Sequence, residues 1–153
     1  MFEKLLPQPA DNHFHGHPIA RWMFILLTVK AIFASLIHMF AADGGAQSIA
    51  SITLDSFTTG GANTVVTIFG LWGLSQLMMG LVNAIVLWRY QALIPLMYLF
   101  FVFEYVMRKA AHLYTPGVVS AETPPGVILD YVLLPLAIIM LVLSLKEHKK
   151  EIR

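Results

Sequence analysis

Four long apolar stretches constrain this chain more than anything else in it: Trp22 to Phe40, Val65 to Trp88, Ala92 to about Tyr114, and Val127 to Leu145. Bilayer hydrocarbon is about 30 Å thick and an α-helix rises about 1.5 Å per residue, so roughly 20 apolar residues cross it. Each stretch is long enough. None alternates polar with apolar, which separates them from the strands of a membrane barrel and leaves helices as the way to satisfy the backbone in lipid. The expected fold is an all-α integral membrane protein, a four-transmembrane-helix bundle. It forms a single transmembrane domain over residues 1–153, with spans at about 22–40, 65–88, 92–114 and 127–145 and outer loops at 41–63 and 115–125.

Composition agrees with the spans. Hydrophobic residues make up 58% of the chain and charged residues 12%, whereas soluble domains run to about 45–50% apolar and about 25% charged. Too few charges remain to cover a soluble surface, so a soluble enzyme, a disordered chain and a nucleic-acid binder are all excluded. A net charge of +1 offers no general attraction for phosphates. With no cysteine, disulfides, thiolate chemistry and iron–sulfur clusters are excluded as well.

Orientation follows from the basic residues, which favour the cytoplasmic side. Lys4 and Arg21 precede the first span, Arg89 lies in the turn after the second, and the tail 146–153 carries four more. The segments 41–63 and 115–125 hold none, only Asp43, Asp55 and Glu122. Both termini are therefore expected in the cytoplasm, in a bacterial cytoplasmic (inner) membrane. Arg108 and Lys109, near the outward end of span three, break the pattern and need a local reason. The first span is expected to be retained, because Lys30 interrupts it and Phe40-Ala41-Ala42 makes a poor signal cleavage site.

The four-residue link Arg89-Tyr90-Gln91-Ala92 predicts an antiparallel hairpin of spans two and three. Small residues along span two, with Gly80 and Ala84 four apart, predict that it is the central packing helix. Between Gly44-Gly45 and Gly60-Gly61, the residues Ile49 to Phe57 suggest a short interfacial helix or lid, a plain loop being the alternative.

Ionisable side chains inside a span cost about 3 kcal/mol each on insertion scales, so each is a candidate for function. Lys30 and Glu104 fall near the midplane, and His38, Arg108, Lys109, His112 and Asp130 fall in the outward third. Glu104, Arg108 and His112 share one stripe at i, i+4, i+8. Lys30 and His38 echo Glu104 and His112 at the same spacing on a parallel span, a weak trace of two repeated hairpins. Lys30 with Glu104, and Arg108 with Asp130, are expected to neutralise one another. Ser75, Gln76 and Asn83 on span two supply neutral hydrogen-bonding groups.

The leading expectation is a small membrane protein that binds or passes a proton, ion or small polar ligand. Its outward-facing intramembrane site is lined by Lys30, His38, Glu104, Arg108, His112 and Asp130, with Glu104 as the titrating centre. One alternative is a non-catalytic accessory subunit of a larger membrane redox or transport complex, in which the charges serve only packing. A second is a redox protein that binds quinone or holds b-type haem through His38 and His112. His13, His15 and His17 alternate before the first span and form a weak candidate for a borderline metal ion. The expected partners are membrane lipids and further copies or subunits, with no nucleic acid. No catalytic motif of known mechanics is present, so an enzyme acting alone is not expected, although the His and carboxylate set leaves a membrane-embedded one open.

Overall fold

The computed structural model describes residues 2–111, 113–114 and 122–146. Its helices are α1 (Phe2–Leu5), α2 (Pro18–Phe40), α3 (Thr59–Arg89), α4 (Ile94–Ala111) and α5 (Pro125–Leu145), with 3-10 turns at Leu54–Ser56 and Gln91–Leu93. No strand occurs among the described residues. Four of the helices are long and apolar enough to cross a membrane, so the chain is a multi-pass four-helix membrane bundle. Large apolar side chains such as Phe33, Leu71, Ile85, Phe103 and Val132 lie on the surface, the arrangement demanded when the solvent is lipid. Trp22, Trp88 and Tyr114 stand exposed near helix ends, where amphipathic rings prefer to sit.

Helix starts are set by local chemistry. Pro18 and Pro125 occupy first-turn positions that lack an acceptor and suit the fixed φ of proline. The His17 ring accepts from the Ile19 amide at 3.3 Å and caps α2. Thr58 caps α3 through the Gly61 amide at 3.2 Å. As a result α3 begins six residues before the expected Val65. Its polar outer turns survive because Thr64 and Thr67 turn their hydroxyls back onto the carbonyls of Gly60 and Asn63.

The packing differs from the sequence expectation. The tight link after α3 does not make a closely packed α3–α4 hairpin, since those two helices share little contact. α3 packs along α2, and α4 packs along α5. The reason lies in two glycines. A Cβ on Gly73 would stand 2.7 Å from the His38 Cβ and 3.0 Å from the Ser35 carbonyl oxygen, and one on Gly80 would stand 2.8 Å from an Ile32 side-chain carbon. The small-residue stripe therefore selects α2 as its neighbour. The central helix is α2, which meets α3, α4 and α5, whereas α3 is peripheral.

At the end carrying both termini, Ala20, Phe24, Ile94, Met97, Tyr98, Phe101, Ala137 and Met140 fill the space between α2, α4 and α5. The Tyr98 hydroxyl donates to the Ala20 carbonyl at 2.6 Å, giving its buried oxygen a partner. The N-terminal arm closes this end. The His17 amide donates to the Leu143 carbonyl at 3.0 Å and Lys4 Nζ to the Leu145 carbonyl at 3.2 Å, so the arm supplies donors to the last turn of α5. Gly16 is pressed against the Ser144 carbonyl, where a Cβ would collide.

At the opposite end, residues 41–58 fold into a run of turns with one 3-10 turn at Leu54–Ser56, in place of the expected interfacial helix over Ile49–Phe57. Asp43 organises them. Its carboxylate accepts from the amides of Gly45 (2.9 Å), Gln47 (3.1 Å) and Ser48 (2.6 Å), which requires Gly44 and Gly45 in succession at φ +60 and +74. Burial pushes the Asp43 pKa upward, but the amides of Ser48 and Gly45 outweigh it and hold the carboxyl below its ordinary value.

Two outcomes are expected. Gly73→Ala will destabilise the bundle by about 1–3 kcal/mol through overpacking against backbone, while Gly60→Ala, whose Cβ would meet nothing within 4 Å, will be neutral or slightly stabilising; thermal unfolding in detergent compares them. Because the folded Asp43 carboxyl titrates lower than the unfolded one, its contribution is complete above about pH 4 and disappears as pH falls further. Protection factors for hydrogen exchange at the Gly45, Gln47 and Ser48 amides, taken against the intrinsic rate at each pH, should fall on acidification below about pH 4, and Asp43→Ala should remove the protection at neutral pH.

Candidate functional site

Three helices bring charge together in the half of the bundle away from the termini. Arg108, in the last turn of α4, reaches back one turn to Glu104 and sideways to Asp130 of α5, where Nε lies 3.7 Å from Oδ2. Glu104 before Arg108 at i, i+4 is the order in which their side chains meet. Lys30 of α2 interacts electrostatically with Arg108, Asp130 and Glu104 without closing to an ion pair with any of them. The expected neutralisation of Lys30 by Glu104 is thus a field shared by four groups and not a direct contact.

The carboxylates differ in accessibility. The Asp130 side chain is 14% exposed and the Glu104 side chain 48%. Asp130 is the covered partner of Arg108, and Glu104 is the partner left open at the protein surface. Aromatic rings complete the enclosure. The Arg108 guanidinium carbon lies 5.7 Å from the Trp72 ring of α3 and 6.0 Å from Tyr105, and Lys109 Nζ sits 3.6 Å over the Tyr131 ring. The two positive charges that break the orientation pattern are therefore accounted for locally, one by carboxylates and one by a π face.

His38 is buried and committed to the outer loop. Its Nδ1 lies 2.8 Å from the Gly44 carbonyl oxygen; a carbonyl can only accept, so Nδ1 carries the hydrogen. The ring lies tilted against Trp72 at 4.7 Å and meets Phe69 edge to face at 5.8 Å. Gly45 lies against its other side, where a Cβ would stand 3.1 Å from Nδ1. His38 thus fastens the loop to the bundle, and through Trp72 it touches the same ring as Arg108. His112, its expected counterpart in a relay or a haem site, lies outside the described residues.

The three N-terminal histidines go separate ways. Nδ1 of His13 donates to Asp11 at 3.1 Å, and the His13 amide donates to the same carboxylate at 3.0 Å. Those bonds, the amide first, hold the Asp11 carboxyl below its ordinary pKa. His17 caps α2, and His15 borders a cavity of about 310 Å³ under the arm, with Lys4, Asp11 and Ser144. No three His, Asp or Glu side chains converge on a metal-sized position among the described residues.

No family model, curated protein or solved structure matches this chain. What the site can do follows from its own chemistry. A guanidinium with two carboxylate partners can release one and remain neutralised by the other, while a nearby ammonium stands ready for the group released.

Sequence reasoning placed the charges but missed Trp72, Tyr105 and Tyr131 as their ring partners. The available signal was an aromatic lying within a span instead of at its ends. Of the neutral groups on span two, Ser75 turns its hydroxyl to its own helix at Leu71 and faces outward, whereas Asn83 is fully buried and Gln76 half-buried.

Removing Arg108 would leave two carboxylates with only the field of Lys30, which pairs directly with neither. Arg108→Leu should cost about 1–3 kcal/mol, below the figure for a fully buried pair because the side chain is partly exposed. Asp130→Asn should cost more than Glu104→Gln, since Asp130 is the more covered partner. Chemical denaturation in detergent micelles ranks the three.

Proposed function

We propose that this chain is a small membrane protein that binds and passes a proton, or a small polar ion in its place, at an intramembrane site whose exchanging group is Glu104. One observation carries the reading: Arg108 sits between a covered and an accessible carboxylate within an apolar span. A proton arriving at Glu104 removes one negative charge, and Arg108 keeps Asp130. The Lys30 ammonium balances Glu104 whenever the carboxyl is ionised. The summed charge of Lys30, Arg108, Glu104 and Asp130 rises from zero to +1 when Glu104 takes up a proton and returns to zero when it releases it, as a proton-carrying site requires. By the basic-residue bias, the site faces away from the cytoplasm of a bacterial inner membrane, with the loop fastened by His38 lying over its mouth.

A second reading, an accessory subunit of a larger assembly, is favoured by the position of α3. That helix packs on α2 for most of its length and leaves its remaining surface to lipid or to another protein.

The two separate experimentally. In liposomes carrying a pH gradient, Glu104→Gln should lower proton flux by about tenfold or more with unchanged thermal stability. A folded Glu104→Gln protein with the flux of the parent chain would remove the first reading. Stoichiometric copurification of a partner from native membranes, lost on placing bulky residues along the open face of α3, would establish the second.

A further inference from the structure

The α2–α3 seam contains polar groups that neither the charge cluster nor the packing uses. Asn83 has no solvent exposure, and neither its Oδ1 nor its Nδ2 meets a protein partner. Two turns earlier on the same stripe, Gln76 Oε1 is also buried without a partner. Gly73, Gln76, Gly80 and Asn83 are spaced three, four and three apart, so they form the face of α3 that meets α2. The glycine contacts fix the register: Gly73 lies at Ser35 and His38, and Gly80 at Ile32. Gln76 is therefore level with Ser35, and Asn83 with Thr28. Thr28 and Ser35 are both buried, and each donates its hydroxyl hydrogen to its own helix, at Phe24 and Ala31. Their oxygen lone pairs remain as acceptors in the seam.

The chemistry of the orphaned atoms selects what can meet them. A cation would satisfy Oδ1 of Asn83 and leave Nδ2 bare, and an anion would do the reverse. Water donates to one and accepts from the other, and it is small enough for a seam whose helices are held together by glycine. Lipid can supply neither bond.

We propose that Asn83 is the centre of a buried hydration site between α2 and α3, continued by Gln76. Resting on the proton-passing reading above, this seam forms the inner half of the path to Glu104. The alternative way toward the termini, between α2, α4 and α5, is filled by Phe24, Tyr98, Phe101 and Met140. The seam instead offers a polar group every one or two turns: Asn83 with Thr28, Gln76 with Ser35, then His38 against Trp72, which also neighbours the Arg108 guanidinium. Val86, buried one turn beyond Asn83, is the apolar barrier on the terminal side.

The test uses the full chain, isotope-labelled, in vesicles of mixed zwitterionic and anionic phospholipid. Magnetisation transfer from water protons to the Asn83 side-chain amide should match the rate seen for exposed Gln47; no transfer at Asn83 while Gln47 responds would overturn the hydration site. Asn83→Leu, which fills the seam with an apolar side chain of similar size, should lower proton flux by about tenfold, and Asn83→Ser, which keeps a polar group, should restore most of it. Hydration at Asn83 with undiminished flux in a folded Asn83→Leu protein would overturn the path. Should Asn83→Leu fail to fold, the flux of Asn83→Ser and the water transfer in the parent chain still decide. Glu104→Gln acts as the separate control: undiminished flux there defeats the proton reading itself, while the water transfer at Asn83 continues to report on hydration alone.

Discussion

Lipid supplies no hydrogen bonds, and this constraint organises the whole molecule. Every polar group within the bilayer must find a partner in the chain or in enclosed water. The helices satisfy most of the backbone. The ends and exceptions are handled one at a time: His17 and Thr58 cap helix starts, the N-terminal arm reaches the last carbonyls of α5, and Asp43 collects the amides of the outer turns. The charged side chains obey the same rule, and for that reason Arg108 is found between two carboxylates and Lys109 over a ring.

The two halves of the bundle follow from how closely its helices approach. Near the termini, aromatic and aliphatic side chains interlock among α2, α4 and α5, and the buried hydroxyls of Thr28, Tyr98 and Ser144 each donate to a backbone carbonyl. Farther out, the charges of α2, α4 and α5 replace the apolar core, and α3 contributes Trp72 to their enclosure. Close apolar packing near the termini is where the bundle gains its stability, and the ionisable groups are confined to the other half, apart from that packing.

How far the sequence reveals this depends on which signal the membrane preserves. Span length and apolar content survive intact, so the four helices are legible, apart from the polar outer turns of α3, which read as loop. Glu104 with Arg108 is legible because helical periodicity is local. The approach of Arg108 to Asp130 is legible because so few opposite charges share the outward third. Helix pairing is not, because α3 is apolar nearly all round and its periodicity does not say which face turns inward. The link at residues 89–92 then points to the wrong partner, and only the contact of Gly73 and Gly80 with α2 reveals the right one. Nor is the role of His38 legible: its partner is a backbone carbonyl placed by two left-handed glycines, which no spacing rule anticipates.

The docking of the N-terminal arm against α5 has a consequence for biogenesis. The arm is synthesised before α5, yet its acceptors at Leu143 and Leu145 belong to that helix. The arm therefore cannot dock until α5 has been made, and until then its donors are left to water.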